Sequence, residues 1–187
     1  MSIETEKKYR LDAERKSEVE RALDEVGAEF IGRDFEENVI YSSELLRQTG
    51  GVIRLRHVGG KTLLTYKRRV PGLSDVKEQI EHETEVADTE AIQSILTELQ
   101  IEPALVYEKY RDTWKCRSVE VVLDELPFGL FMEIEGSLTG IREAEILLGI
   151  EDLESVGETY PRMTARLGNR TGTRTEARFD RDSSGEK

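Results

Sequence analysis

Polar and apolar residues alternate along eight short stretches of this chain, and in most of them the polar side is charged. Alternation with a period of two marks β-strands, whose successive side chains point to opposite faces. In residues 3–10, Glu4, Glu6, Lys8 and Arg10 share one face, and Ile3, Thr5, Lys7 and Tyr9 share the other. Residues 52–58 set Arg54 and Arg56 against Ile53, Leu55 and His57. Residues 62–69 set Lys67 and Arg69 against Leu64 and Tyr66. The same pattern opposes Glu81, Glu83 and Glu85 to Ile80 and Val86 in 79–86, and Lys109 and Arg111 to Val106 and Tyr110 in 104–113. Asp124 stands opposite Val121 and Leu123, and Glu133 and Glu135 opposite Met132 and Ile134. A further strand at 36–42 places Val39 and Tyr41 on one face.

Helical spacing predicts four helices. One runs from a cap at Asp12 to about Val26, with Val19, Ala22 and Leu23 on one stripe. A second starts at Asp88 or Thr89 and carries Ile92, Ile95, Leu96 and Leu99. Short ones follow at 141–148 and from Pro161 through Leu167. Gly50-Gly51 and Gly59-Gly60 read as turns, and the Pro71-Gly72 loop at 70–77 as the flank of a site mouth. The fold class expected is mainly β within α+β: an eight-stranded antiparallel closed barrel or tunnel with helices packed outside. It spans residues 1–168, and the polar stretch 169–187 reads as a disordered tail.

An open sheet could show its charged face to bulk water. A closed one would turn that face inward, where so many charges persist only if they pair or meet ions and ligands. Arginines and lysines fit phosphate oxygens, and paired carboxylates are hard-oxygen ligands for Mg²⁺ or Mn²⁺, so a metal-bound polyanion suits such an interior.

Composition narrows the classes. A net charge of −12 argues against nucleic acid or an anionic membrane as the main partner. One cysteine, Cys116, excludes an internal disulfide and fits a reducing cytoplasm, and two histidines make a structural zinc site a poor fit. No apolar run approaches the length that spans a bilayer, and the first strand begins so early that no signal peptide is expected. His57 and His82 read as packing or surface residues, and Cys116 as an incidental thiol.

The stretch Glu4-x-Glu6-x-Lys8 resembles the ExExK signature of the CYTH family, the triphosphate tunnel metalloenzymes. Arg54-Leu55-Arg56, Thr65-Tyr66-Lys67, Lys109-Tyr110-Arg111, Leu123-Asp124 and the run from Gly129 to Glu135 resemble its later motifs in order. The resemblance implies a small triphosphate as partner, a Mg²⁺ or Mn²⁺ cofactor, and first triphosphate hydrolysis, with class IV adenylyl cyclase chemistry as the alternative and a non-catalytic polyphosphate binder as a further one. It implies Glu4, Glu6, Glu133 and Glu135 as metal-binding acids with Asp124 beside them, and Glu4, Glu6 and Lys8 as the catalytic set. Lys8, Arg54, Arg56, Lys67, Lys109 and Arg111 become the triphosphate grip, with Glu83, Arg69 and Tyr160 in support. Two positions depart from the family pattern: Thr159 where a serine often precedes the tyrosine, and Gln79 where many members carry a basic residue. A homodimer is compatible with this reading, and the substrate's non-phosphate end is not legible from these motifs.

Overall fold

The computed structural model describes the backbone of residues 2–69 and 77–180, and side chains over 5–68 and 80–180. The chain runs β1 (Ser2–Leu11), α1 (Ala13–Glu25), β2 (Glu29–Ser42), α2 (Glu44–Thr49), β3 (Gly51–Val58), β4 (Lys61–Arg69), β5 (Lys77–Val86), α3 (Thr89–Glu98), β6 (Glu102–Cys116), β7 (Val119–Leu126), β8 (Gly129–Glu135), α4 (Leu138–Leu148), α5 (Tyr160–Leu167), β9 (Asn169–Thr171) and β10 (Arg174–Ala177). Asp12, Ser43, Asp88, Ser137 and Thr159 each accept a backbone N–H at a helix start, satisfying one of the amides that the first turn leaves open. Gly59 and Gly60 both adopt positive φ, which a two-residue hairpin turn of matching twist requires.

Strand pairing follows the order β2-β3-β4-β5-β1-β8-β7-β6, and β6 pairs in turn with β2 along nearly the whole of both strands. All these pairings are antiparallel. The expectation of a closed eight-stranded barrel is met only in part: the antiparallel sheet with few helices is present, and the closure is not confirmed. β1 pairs with β5 over Ser2–Glu6 and with β8 over Glu6–Leu11, so one strand divides its length between two neighbours and overlaps them only at Glu6.

Helices cover the outer face where the apolar alternation points. Val19 and Leu23 of α1 and Ile141, Ala144 and Leu148 of α4 pack on Tyr9, Val121, Leu123, Met132 and Ile134. Leu96 of α3 packs on Val39, Tyr41, Leu55 and Val106. Each of these Val, Leu, Ile and Met side chains, taken fully out of water, contributes about 1.5–3 kcal/mol. Cys116 is buried in the first of these clusters, His57 Nδ1 hydrogen-bonds Thr62 Oγ1, and His82 stacks on Tyr66, all away from the interior.

The interior is charged over only part of its length. Toward one end Ile40, Tyr107, Leu126, Phe131, Tyr160, Met163 and Ala177 form an apolar cluster that α5 helps to fill. The charged tunnel expected from the alternation is therefore not met there.

The expected disordered tail is corrected over 169–177. β9 and β10 form a hairpin, and β10 pairs parallel with Leu105–Tyr107 of β6, on the stretch of that strand that β7 is too short to reach. Backbone pairing and ion pairs hold this segment, and neither registers in a count of apolar residues. Residues 181–187 and the expected mouth loop at 70–76 lie outside the described residues. Two further elements escaped the periodicity: α2, too short to show a helical stripe, and the first half of β2.

Candidate functional site

The inward faces of β1, β3, β4, β5, β6, β7 and β8 enclose a cavity of about 590 Å³, which the α5 N-terminus also borders. Six expected cations line it: Lys8, Arg54, Arg56, Lys67, Lys109 and Arg111. So do the expected acids Glu6, Glu83, Glu133 and Glu135, and the plug residue Tyr160. Glu4 shares the strand face of Glu6 by alternation, but its side chain and that of Arg69 lie outside the described residues, as does that of Gln79. Arg10 leaves the set: its Nη2 donates to the Phe128 carbonyl oxygen at 3.1 Å and its guanidinium stands over the Phe131 ring.

The cations are held by an ion network rather than left to repel one another. Arg111 donates from Nε to Asp124 Oδ1 at 2.7 Å and from Nη2 to Asp124 Oδ2 at 2.6 Å, a bidentate clasp, and Nη2 also reaches Glu133 Oε2 at 2.7 Å. Lys8 Nζ is 3.1 Å from Glu133 Oε1 and 3.6 Å from the centroid of the Tyr160 ring. Arg56 Nη2 donates to Glu83 Oε2 at 2.8 Å, and Thr65 Oγ1 donates to the same oxygen at 2.7 Å. Lys67 pairs with Glu81. The Tyr160 hydroxyl donates to Asp124 Oδ2 at 2.9 Å, tying the plug to the clasp.

Asp124 is corrected by this geometry. It is fully buried, does not line the cavity, and its oxygens are taken by Arg111, Lys109 and Tyr160. It therefore braces Arg111 and Lys109 from behind and stands apart from the acids that line the cavity.

Those acids gather at the other end. Burial raises the Glu135 carboxyl, Lys67 pulls it back, and the charges of Glu120, Glu6 and Glu81 push it up again, leaving it above its ordinary value. Glu133 behaves oppositely: burial alone would raise it, but Lys8, Arg111 and Lys109 hold it well below the usual range. Burial likewise opposes the charged form of Glu36, yet Lys109, Arg111, Arg56 and Arg54 bring it down to about 2. Carboxylates depressed in the fold contribute stability that is complete above their unfolded value near 4.5 and is lost as the pH falls through their folded values. Chemical denaturation between pH 5 and 2.5 is expected to show unfolding free energy dropping steeply over that window. A flat profile would count against the buried network.

Glu36, Glu120 and Tyr107 were not singled out by the alternation. Glu120 stands opposite Glu135 across β7 and β8, in the strand register that also puts Val122 opposite Glu133. Its parity with Asp124 was the available signal. Thr159, which departs from the family pattern, still caps α5 by accepting from Arg162 N.

A family model described as the CYTH domain matches residues 2–157. A protein of Methanocaldococcus jannaschii named "Putative adenylate cyclase MJ0240" is 29% identical over 150 residues, covering 78% of this chain and 83% of its own. The solved structure of PH1012 from Pyrococcus horikoshii has a TM-score of 0.69 at 26% identity, covering 81% of this chain and 94% of its own. A Hippeastrum protein described as "Putative adenylyl cyclase HpAC1" with a dominant triphosphatase activity shares the fold at a TM-score of 0.65 and 16% identity, covering 89% of this chain and 96% of its own. Motifs, strand order and match over most of its length agree: the chain belongs to the CYTH domain family.

Proposed function

We propose that this chain is a divalent-metal-dependent enzyme that hydrolyses the terminal phosphate of a small triphosphate: inorganic triphosphate, thiamine triphosphate or a nucleotide. The observation that carries the reading is the sorting of charge in one cavity, with Lys8, Lys109 and Arg111 bracing its middle and Glu6, Glu120 and Glu135 its far end. A polyanion lying along that axis meets arginine forks and lysine ammonium groups, while its metal-binding end meets hard oxygen donors. The ring of strand pairings then works as the wall of a tunnel, plugged at one end.

The donor set fits Mg²⁺ or Mn²⁺. Among the described residues no three His, Cys, Asp or Glu side chains stand close enough to hold an ion by themselves. Mg²⁺ commonly binds through one or two carboxylates plus substrate phosphates, and the elevated Glu135 carboxyl is the kind of group such an ion would relieve. When bound, the metal neutralises phosphate charge and orients the attacking water. The protein's part is positional and electrostatic: Arg111, Lys109, Lys8, Arg54 and Arg56 hold the phosphoryl oxygens in place. Glu133 and Glu83 occupy those cations in the cavity, and phosphate oxygens would take over their contacts.

Tyr160 offers a graded test. Tyr160→Phe removes the hydroxyl from Asp124 but keeps the ring beneath Lys8. A hydrogen bond to a charged group contributes about 1.5–3 kcal/mol, so kcat/KM is expected to fall by roughly tenfold or somewhat more. Tyr160→Ala, which also strips the ring, should lose more in steady-state kinetics, and equal losses would separate the ring from the grip.

A second reading, a class IV adenylyl cyclase forming cyclic AMP and pyrophosphate from ATP, is favoured by the name of the Methanocaldococcus relative. One assay separates them: incubation with Mg²⁺ or Mn²⁺ and, in turn, inorganic triphosphate, thiamine triphosphate and ATP, with products resolved. Orthophosphate release supports the hydrolase, and cyclic AMP with pyrophosphate selects the cyclase. Tight binding with no turnover would leave a polyphosphate binder and overturn both.

A further inference from the structure

Every cation of the grip has an acid beside it, but the acids are of two kinds. Glu83 and Glu133 border the cavity, where an incoming polyanion competes with them for the same cations. Asp124 and Glu36 do not border it, and both are buried, Glu36 with 2% exposure. Asp124 lies opposite Arg111 in the β6–β7 register, and Glu36 lies opposite Lys109 in the β2–β6 register. Lys109 Nζ is 3.3 Å from Asp124 Oδ1 and 3.4 Å from Glu36 Oε2, so the buried ammonium is clamped between acids from the two strands flanking its own. The other Glu36 oxygen is 3.5 Å from Arg56 Nη1, and Asn38 Nδ2 donates to Glu36 at 3.3 Å. One carboxylate thus ties β6 to β3 through charge, across the β2 strand that lies between them.

We infer that Glu36 is a positioning residue for the triphosphate grip: a counter-charge beyond the substrate's reach that sets Lys109 and Arg56 at fixed separation whether or not the cavity is filled. This rests on the phosphate-binding reading of the cavity. The reason is electrostatic. Four cations, Arg54, Arg56, Lys109 and Arg111, converge on this carboxylate and share its field. Counter-charges inside the cavity are given up on binding, so only those behind the cations can keep the grip preorganised at that moment. Breaking a buried charge pair by neutralising one partner leaves the other buried without its match.

The test uses Glu36→Gln, which keeps the size and the Asn38 contact but drops the charge, with Glu36→Asp as the conservative variant. Binding of inorganic triphosphate is measured by calorimetry, alongside steady-state kinetics, Mg²⁺ binding without phosphate and melting temperature. Glu36→Gln is expected to weaken triphosphate binding about tenfold or more while leaving binding of Mg²⁺ alone unchanged, and Glu36→Asp to recover part of the loss. Triphosphate affinity equal to wild type in folded Glu36→Gln overturns the inference, and so does an equal loss of Mg²⁺ binding, which would make Glu36 a metal ligand. If Glu36→Gln does not fold, a Glu36→Asp protein that binds triphosphate as the wild type does, with its carboxylate drawn back, overturns it equally. The binding readout needs no turnover. A wild type that binds triphosphate without cleaving or cyclising any substrate therefore overturns the proposed function and leaves the Glu36 comparison decisive, whereas a wild type that binds no triphosphate overturns both.

Discussion

Glu6→Gln combined with Glu135→Gln is expected to reduce metal-dependent turnover on the order of a thousandfold, while the metal-free protein melts no lower than the wild type. The two effects share a cause. Glu135 faces Glu6 across the β1–β8 register and Glu120 across the β7–β8 register, so three carboxylates line one end of the cavity side by side. Burial first, and then the charges of Glu120, Glu6 and Glu81, already lift the Glu135 carboxyl above its ordinary value against the pull of Lys67. Amides in two of the three positions relieve that repulsion but supply far weaker hard-ion donors, so the ion that neutralises developing phosphate charge is held poorly. A ligand that binds only the folded state raises its stability by mass action, so wild type should also show a Mg²⁺-dependent rise in melting temperature that the variant lacks. Near-wild-type turnover in the double variant would remove these acids from the metal site, and a lower melting temperature without metal would mean that they support the fold.

Arg178→Ala is expected to lower the unfolding free energy by about 2–4 kcal/mol, which for a domain of this size is a melting temperature lower by roughly 4–16 °C. Glu108 points away from the cavity and is 1% exposed. Arg178 Nη1 donates to it at 2.7 Å and the Phe179 backbone N–H at 2.9 Å, and Arg178 also pairs with Glu37 and Glu176. Removing the guanidinium takes a charged partner from a buried carboxylate. Glu108→Gln in the Arg178→Ala background should restore part of the loss, because the buried charge that lost its guanidinium goes with it. The check is a thermal melt of the single and double variants, and additive losses would show that the two residues do not act through each other. The effect on catalysis should be smaller, because Glu108 and Lys109 project to opposite faces of the same strand.

Much of this architecture is legible in alternation alone, because a strand with one charged and one apolar face declares both its period and its direction. The strands at Arg54, Lys67, Glu83, Lys109 and Glu133 are of that kind, and their charged sides do converge. Glu36 escaped because its strand face continues with Asn38 and Ile40, a mixture that reads as no pattern, and because its partner Lys109 is reached only when β2 pairs with β6. Asp124 was visible as an acid among cations, but whether such an acid meets metal or guanidinium depends on cross-strand register. The segment 169–177 was hidden for another reason: its order comes from the unoccupied flank of a distant strand. An apolar census has no entry for a missing neighbour.

The divided pairing of β1 bears on how the molecule assembles. The residues of β1, Ser2–Leu11, have both of their partners far downstream, β5 at Lys77–Val86 and β8 at Gly129–Glu135. Until β8 is synthesised, β1 lacks the partner for its second half and α1 lacks the α4 face against which it packs. Contacts between residues so distant in sequence close long loops before they return any stabilisation, and they slow folding accordingly. The ExExK strand should thus be among the last parts of the sheet to gain protection against hydrogen exchange during refolding, so that the chain completes the acidic end of its cavity only after the cationic strands β3, β4 and β6 are in place.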